Sequence, residues 1–298
     1  MKFAILGGGM VGTCYMQAFV EQGHSLVGLC DLQPNAAVAD AVQFAGAQVH
    51  TAPGAWLAEA DVVVSAVFGT VARSLFEACL PHLRDLRDLP DGVVYVDMTT
   101  ADPQEMRECG ELARRVAQGR AVHFVDVAIT GAVNLGGSKT PLLVAGGKAG
   151  FVQELFLPLG GSVRVVGGQP GDAAALKLLR SIYTKGTEAL AVECLVTAQQ
   201  MGLREQLHAV LQDIDETPLR TLMESMVRTH IPHSARRRNE VAEARQQMAR
   251  NGLAPIASPA VEALFAATAR AHAAQPFTGT STDEAIDWLG SHVLASQA

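Results

Sequence analysis

The sequence predicts a doubly wound α/β domain followed by an all-helical one, and three observations carry that prediction. Between residue 2 and about residue 166, short β-branched apolar runs alternate with segments of helical period, the pattern of a parallel sheet covered on both faces. A glycine-rich turn, Gly7-Gly8-Gly9-Met10-Val11-Gly12, follows the first run. Beyond Gly167-Gly168-Gln169-Pro170-Gly171 no segment has a convincing β run, and Ala, Leu, Glu, Gln and Arg dominate. A boundary at this point gives domains of 1–168 and 169–298, each of ordinary domain size.

The runs 3–6, 25–30, 61–68, 93–97, 123–127, 142–145 and 163–166 read as strands. They are continuously apolar because a strand buried on both faces has no polar side to alternate. In the second half Asp172 is placed to cap a helix. From 173 to about 201 there is no Pro and only Gly186, which allows a helix of about 28 residues, roughly 42 Å long, ending at Gly202. Further helices are expected over 203–214, 217–229, 235–251, 258–274 and 281–295, broken at Pro218, Pro232, Gly252, Pro255 and Gly279.

Composition excludes several classes of function. Apolar residues are 49% and charged residues 18% of 298, proportions of a folded chain and not of a disordered one. A net charge of −7 argues against a nucleic-acid or anionic-membrane surface, both of which need concentrated positive charge. A small diffusible partner is left. Cys14, Cys30, Cys79, Cys109 and Cys194 form no C-x-x-C pair or Cys/His cluster, so they read as reduced core residues, with no metal site. The sequence opens directly into an apolar run without a signal-peptide pattern, and no stretch of 18 apolar residues occurs. A soluble cytoplasmic protein is expected.

The glycine turn fits G-x-G-x-x-G on Gly7, Gly9 and Gly12, between a strand and a helical segment, with Asp31 closing the second β run 19 residues later. That context is the Rossmann-like dinucleotide fingerprint. Gly7 permits the tight turn, Gly9 lets backbone approach a pyrophosphate, and Gly12 allows close helix packing. Met10 and Val11 begin the helix whose unpaired N–H groups favour an anion. Asp31 is expected to accept hydrogen bonds from the adenosine ribose hydroxyls. No cation lies in Leu32-Gln33-Pro34-Asn35 to receive a 2′-phosphate, so NAD is expected over NADP. Two strand-end segments, 67–70 with Phe68 and 97–103 with Thr100, should approach the rest of the cofactor. Thr99 and Thr100 have two readings, hydrogen bonds to the nicotinamide ribose or substrate, and capping of the next helix.

The segment 126–137 places Thr130 and a Gly-rich backbone after a strand, where successive N–H groups can meet a carboxylate. On the long helix Lys177, Ser181, Lys185 and Glu188 are spaced by four, four and three, so they share one face. Either this face walls a cleft or it is a solvent-facing stripe. The run Arg236-Arg237-Arg238 has the same two readings.

Four signatures in order resemble the β-hydroxyacid dehydrogenases, the family of 3-hydroxyisobutyrate dehydrogenase and, more distantly, 6-phosphogluconate dehydrogenase. They are Gly7-x-Gly9-x-x-Gly12, Asp97-x-Thr99-Thr100-x-x-Pro103, Asp126…Thr130-Gly131…Gly146-Gly147, and Gly168…Lys177, spanning about 1–190. The resemblance implies an oxidoreductase moving hydride between NAD(H) and a small anionic 3-hydroxy acid, with Lys177 as acid/base. It implies that Thr130, Gly131 and Ala132 hold the substrate carboxylate, where relatives usually carry Ser-Gly-Gly. Ser181 stands where relatives commonly place Asn, which shortens the reach of a substrate-positioning group. One of the arginines, with Arg237 as the candidate, stands near where relatives place a second lysine. The C-terminal half departs from the usual family pattern and looks like a divergent branch. Relatives are often dimers or tetramers, so a homo-oligomer is expected. Two alternatives are an imine reductase, which resembles this fold but usually has another residue at the lysine position, and a non-catalytic NAD-binding sensor.

Overall fold

A computed structural model describes residues 1–83, 92–116 and 122–295. It divides into two compact units, Met1–Ser181 and Ile182–Ala298. The first is an eight-stranded sheet covered by helices; the second is helical. The last strand ends at Gly167 and the long helix begins at Asp172, whereas the compact units part later, within that helix.

Along the first unit the elements run β1 (Lys2–Leu6), α1 (Met10–Glu21), β2 (Ser25–Cys30), α2 (Ala36–Phe44), β3 (Gln48–His50), β4 (Val62–Ser65), α3 (Ala72–Cys79), β5 (Val93–Asp97), α4 (Pro103–Val116), β6 (Val122–Ile129), α5 (Val133–Gly136), β7 (Leu142–Ala145), α6 (Ala149–Phe156), β8 (Val163–Gly167) and α7 (Asp172–Gln200). The sheet order is β3-β2-β1-β4-β5-β6-β7-β8. Every strand-like run is a strand; only the three-residue β3 was too short to show a pattern.

The sheet is parallel except at one place. β7 runs antiparallel to β6, against the wholly parallel arrangement expected. A parallel return needs a crossover, usually a helix, of a dozen residues or more. The connection after β6 contains only the four-residue α5 and a single 3-10 turn over Gly137–Lys139, with no crossover helix, so the chain turns back on itself.

Two apolar layers flank the sheet. On one side Phe3, Tyr15, Phe19, Val96, Val127 and Phe156 pack together; on the other, Leu6, Phe76, Tyr95, Met106 and Phe124. Consecutive strand residues therefore alternate between two buried faces, which accounts for the continuously apolar runs.

The second unit contains the C-terminal part of α7, then α8 (Arg204–Val210), α9 (Gln212–Asp215), α10 (Leu219–Arg250), α11 (Ser258–Ala274) and α12 (Thr282–His292). α7 stops just before Gly202, as expected, where φ is +71° and Leu203 N–H donates to the Ala198 carbonyl, a left-handed helix stop that glycine enters without strain. The break expected at Pro232 is absent: 217–229 and 235–251 are one helix, α10, with Pro232 inside it. A proline in a helix interior costs about 3 kcal/mol. Here Ile231 and Ser234 on either side of it are buried, and Arg237 Nη2 donates to Thr229 Oγ1 at 2.9 Å across the proline turn. Tertiary packing overrides the local preference.

Candidate active site

The sheet order reverses between β1 and β4, and the glycine turn lies at that switch point, beyond the carboxyl end of β1. Each of its glycines meets a different constraint. Gly7 has φ +98°, and a Cβ there would lie 2.6 Å from the Ala66 carbonyl oxygen. At Gly12 a Cβ would lie 1.9 Å from the Gly7 carbonyl oxygen, so α1 rests directly on the turn. Gly9 has nothing within 4 Å of where its Cβ would be, and it precedes α1 without a side-chain cap. The turn is tight and packed below and open above, at uncapped helix N–H groups. This cradle fits a dinucleotide pyrophosphate. Met10 and Val11 form the first residues of α1, with Met10 exposed.

Asp31 stands just past β2 beside this turn. Its Oδ2 accepts from Gly8 N–H at 2.6 Å and its Oδ1 from Gln33 N–H at 2.8 Å. The two bonds fix the carboxylate at the edge of the glycine turn, where a ribose would lie. Phe68 is 85% exposed after β4. A Cβ on the following Gly69 would lie 3.1 Å from the Ala101 Cα, so the segments after β4 and β5 lie side by side.

Lys177 lies on α7, about one and a half turns from the start of that helix. Its Nζ donates to Thr100 Oγ1 at 2.7 Å, joining residues 77 apart in sequence. Thr100 has φ +55°, the one positive φ outside glycine among the described residues. A β-branched residue in this region is strained, and here the strained backbone accompanies a hydroxyl aimed at an amine. Lys177 is half-buried, and burial moves its amine below the usual lysine range, opposed by the negative charge of Asp126.

Of the two readings for Thr99 and Thr100, capping belongs to neither. Asp102 accepts from Gln104 N–H at 2.8 Å and caps α4. Thr99 instead donates its amide, at 2.9 Å, and its hydroxyl, at 2.5 Å, to Asp97 Oδ1. The cap expected from Asp172 on α7 is likewise supplied from elsewhere. Asp126 Oδ2 accepts from Gly171 N–H at 2.9 Å and Ala174 N–H at 3.0 Å, while Asp172 Oδ2 accepts from Gln169 N–H at 3.3 Å.

Asp97 and Asp126 had no role assigned from sequence beyond membership of a motif. They are paired in register on β5 and β6, and Ser65 on β4 is paired with Asp97. All three are buried, and Ser65 Oγ, Asp97 Oδ2 and Asp126 Oδ1 have no hydrogen-bond partner. The sequence signal was a single polar residue within or at the end of each of three apolar runs. Burial pushes the Asp97 carboxyl up to about 6, opposed by the two bonds from Thr99 and reinforced by the charge of Asp126. Its folded pKa is above the unfolded value, so the folded state holds the proton more tightly and stability falls as pH rises from about 4 to 6. Asp97→Asn removes this penalty. The variant is expected to gain on the wild type across that window, by about 3 kcal/mol at pH 7 and above, measured by chemical denaturation at each pH.

The other substrate-site candidates are placed as follows. The Thr130 hydroxyl and amide both donate to the Pro141 carbonyl, at 3.0 and 2.9 Å. Gly131 is packed against Thr140, whose Cγ2 would be 2.8 Å from a Cβ, and Ala132 is exposed before α5. Ser181 Oγ donates back to the Lys177 carbonyl at 2.9 Å. Lys185 pairs with exposed Glu188 at 2.6 Å. Arg237 belongs to the second unit, where it bonds Thr229; Arg236 pairs with Glu240 on its own helix. The second unit also holds an apolar cavity of about 510 Å³, lined by Leu190, Cys194, Met201, Leu207, Val210 and Met248 among others. None of the sequence-selected residues lines it.

A packed glycine cradle at a sheet switch point, with an acidic residue after β2, defines a dinucleotide-binding domain. The profile of the NAD-binding domain of 6-phosphogluconate dehydrogenase matches residues 2–167, and the chain belongs to that family. A domain family of unknown function, DUF1932, matches residues 198–274, within the half that departs from the usual pattern. An uncharacterised 28.5 kDa protein of the 7S RNA 5′ region in Methanothermus fervidus is 26% identical over 172 residues, 58% of this chain and 64% of the relative. The match thus spans less than two thirds of that relative's length. Among solved structures, a conserved protein described as similar to 3-hydroxyacid dehydrogenases is 24% identical, with TM-score 0.60 and coverage of 90% of this chain and 96% of the other. An imine reductase from Aspergillus terreus, solved with NADPH4 and dibenz[c,e]azepine, is 17% identical, with TM-score 0.73 and coverage of 96% and 98%. A Myxococcus stipitatus imine reductase variant solved with NAD+ is 17% identical, with TM-score 0.73 and coverage of 97% and 99%. These likenesses establish the shared fold. No helix among the described residues is long and apolar enough to cross a membrane.

Proposed function

We propose that this protein is an NAD-dependent dehydrogenase or reductase of a small 3-hydroxy acid, with Lys177 as its acid/base. The observation that carries the reading is the half-buried Lys177 amine held on Thr100 Oγ1 at 2.7 Å, beyond the carboxyl ends of the strands. Gly7, Gly9, Gly12, Met10 and Val11 would hold the pyrophosphate, Asp31 the adenosine ribose, and Phe68 and Thr100 the nicotinamide end. Bound there, the nicotinamide supplies the hydride chemistry. Lys177 gives a proton to the substrate carbonyl oxygen in reduction and takes it from the hydroxyl in oxidation. Thr130, Gly131 and Ala132 receive the carboxylate through backbone N–H groups, with Ser181 as a further contact to substrate.

Screening 3-hydroxy acids with NAD+ at alkaline pH, beside cyclic imines with NADH, tests this reading. Turnover of a hydroxy acid supports it. Turnover of imines alone supports the imine reductase alternative, which draws on fold neighbours with that activity. Tight NADH binding without any hydride transfer supports a sensor.

Preference for NAD follows from the fixed Asp31 carboxylate, which would repel a 2′-phosphate. Affinity for NADH is expected to exceed that for NADPH at least tenfold, about 1.4 kcal/mol, by fluorescence titration; the opposite order rejects the role of Asp31. We also place the protein in the cytoplasm as a homo-oligomer. Ile182, Val192 and Val196 on α7 are 74%, 59% and 49% exposed, and clustered exposed apolar side chains are normally covered by a partner. Light scattering is expected to give at least a dimer, and a monomer at micromolar concentration rejects it.

A further inference from the structure

Two halves of the lysine site rest on buried carboxylates that sequence motifs left without a role. Through Thr99, Asp97 fixes the turn that carries Thr100. Through Gly171 and Ala174, Asp126 fixes the first turn of α7, and Lys177 follows Ala174 by three residues, one turn further along that helix. Neighbours on one helix face three apart lie above one another. Asp126 is wholly buried, yet its ionised form is the one that two backbone N–H groups at a helix N-terminus favour. A carboxylate on that foundation is costly unless a cation answers it, and Lys177 is the cation its field reaches.

We propose that Asp126 is a positioning residue for Lys177, fixing the first turn of α7 and supplying the counter-charge that keeps the ammonium on Thr100. The groups around the pair set its direction. Asp126 faces Asp97 from β5 and Asp172 from α7, both acidic, so neither neutralises it. Lys177 meets Thr100, a neutral acceptor, from the segment after β5. Asp126 therefore opposes the burial of the amine and sets the pH at which Lys177 changes between proton donor and acceptor. The consequence for turnover rests on the role proposed above for Lys177; the position and charge of the amine do not.

The decisive measurement is competitive labelling with trace acetic anhydride across pH, following each lysine by peptide mass spectrometry with Lys2 and Lys185 as exposed references. Asp126→Asn keeps an oxygen that can accept from Gly171 and Ala174 but removes the charge. In this variant the Lys177 labelling midpoint is expected to fall by about one pH unit, so that labelling below the midpoint is about tenfold faster, while helical circular dichroism is unchanged. Asp172→Asn, which removes an acid from the same helix, leaves the midpoint in place. An unmoved midpoint in Asp126→Asn, or equal shifts in both variants, overturns the proposal, since a purely structural anchor has no such signature.

Coupling is reciprocal, which provides a second measurement if Asp126→Asn does not fold. In Lys177→Met the Asp126 carboxyl, followed by its ¹³C shift, is expected to titrate at higher pH than in the wild type; unchanged titration overturns the proposal. A shifted midpoint in a protein without hydroxy-acid turnover upholds this inference while rejecting the proposed reaction.

Discussion

Lys177→Ala is expected to lower turnover by about 10²–10⁴-fold, the usual contribution of a positioned acid/base, with NADH affinity unchanged. The separation follows from where the parts lie. The cradle for the pyrophosphate and adenosine ribose is built by the β1–α1 turn and Asp31, and among the described residues its hydrogen bonds do not involve α7. Lys177 bonds only Thr100 among the described partners of its amine. Lys177→Arg is expected to fail almost as badly, because guanidinium stays charged across the working range and cannot exchange the proton. In the wild type, oxidation should rise with pH along a limb below the ordinary lysine value, since burial favours the neutral amine that accepts the hydroxyl proton. Reduction should fall along the same limb, because there the ammonium is the donor. Stopped-flow NADH absorbance in both directions measures the two limbs. Near-normal turnover by Lys177→Ala would remove Lys177 from the mechanism.

What the sequence showed and what it hid divide along a physical line. Apolar continuity reports burial on both faces of a sheet, so the strand runs and their boundaries at 25–30, 93–97 and 142–145 were legible without the fold. The glycine spacing was equally legible, because a missing side chain leaves a local signature. Features set by distant partners were not. The antiparallel β7 depends on what fits between β6 and β7, and the continuous α10 on how Ile231 and Ser234 pack, neither of which Pro232 reports. The cap on α7 comes from Asp126, 46 residues before Asp172, so reading the nearest acidic residue as the cap chose the wrong carboxylate. Likewise the contact between Lys177 and Thr100 required the fold to bring the α7 face beside the turn after β5. Motif order placed both residues in one site but gave no reason for the positive φ that aims Thr100 at the amine.

The glycine cradle supports a sharper test than loss of function alone, because its members differ in what opposes a side chain. Gly12→Ala places a Cβ 1.9 Å from the Gly7 carbonyl oxygen, where non-bonded carbon and oxygen require more than 3 Å. Helix α1 would have to move by more than an ångström, yet its Tyr15, Met16 and Phe19 are locked in the core with Phe3 and Phe156. Overpacking of this kind costs about 3 kcal/mol, a drop of roughly 5–10 °C in melting temperature for a domain of this size, before any ligand is added. Gly9→Ala meets no atom within 4 Å, and φ −71° suits alanine. Its melting temperature without cofactor is expected to stay within about 2 °C of the wild type, the scale of a change below 1 kcal/mol. NADH affinity should nevertheless fall at least tenfold, because the added methyl occupies the space through which the pyrophosphate reaches the backbone N–H groups. Differential scanning fluorimetry with and without NADH separates the two effects. If Gly9→Ala bound NADH as the wild type does, the open space above Gly9 would not be the pyrophosphate site, and the cradle would be a packing device for α1 alone.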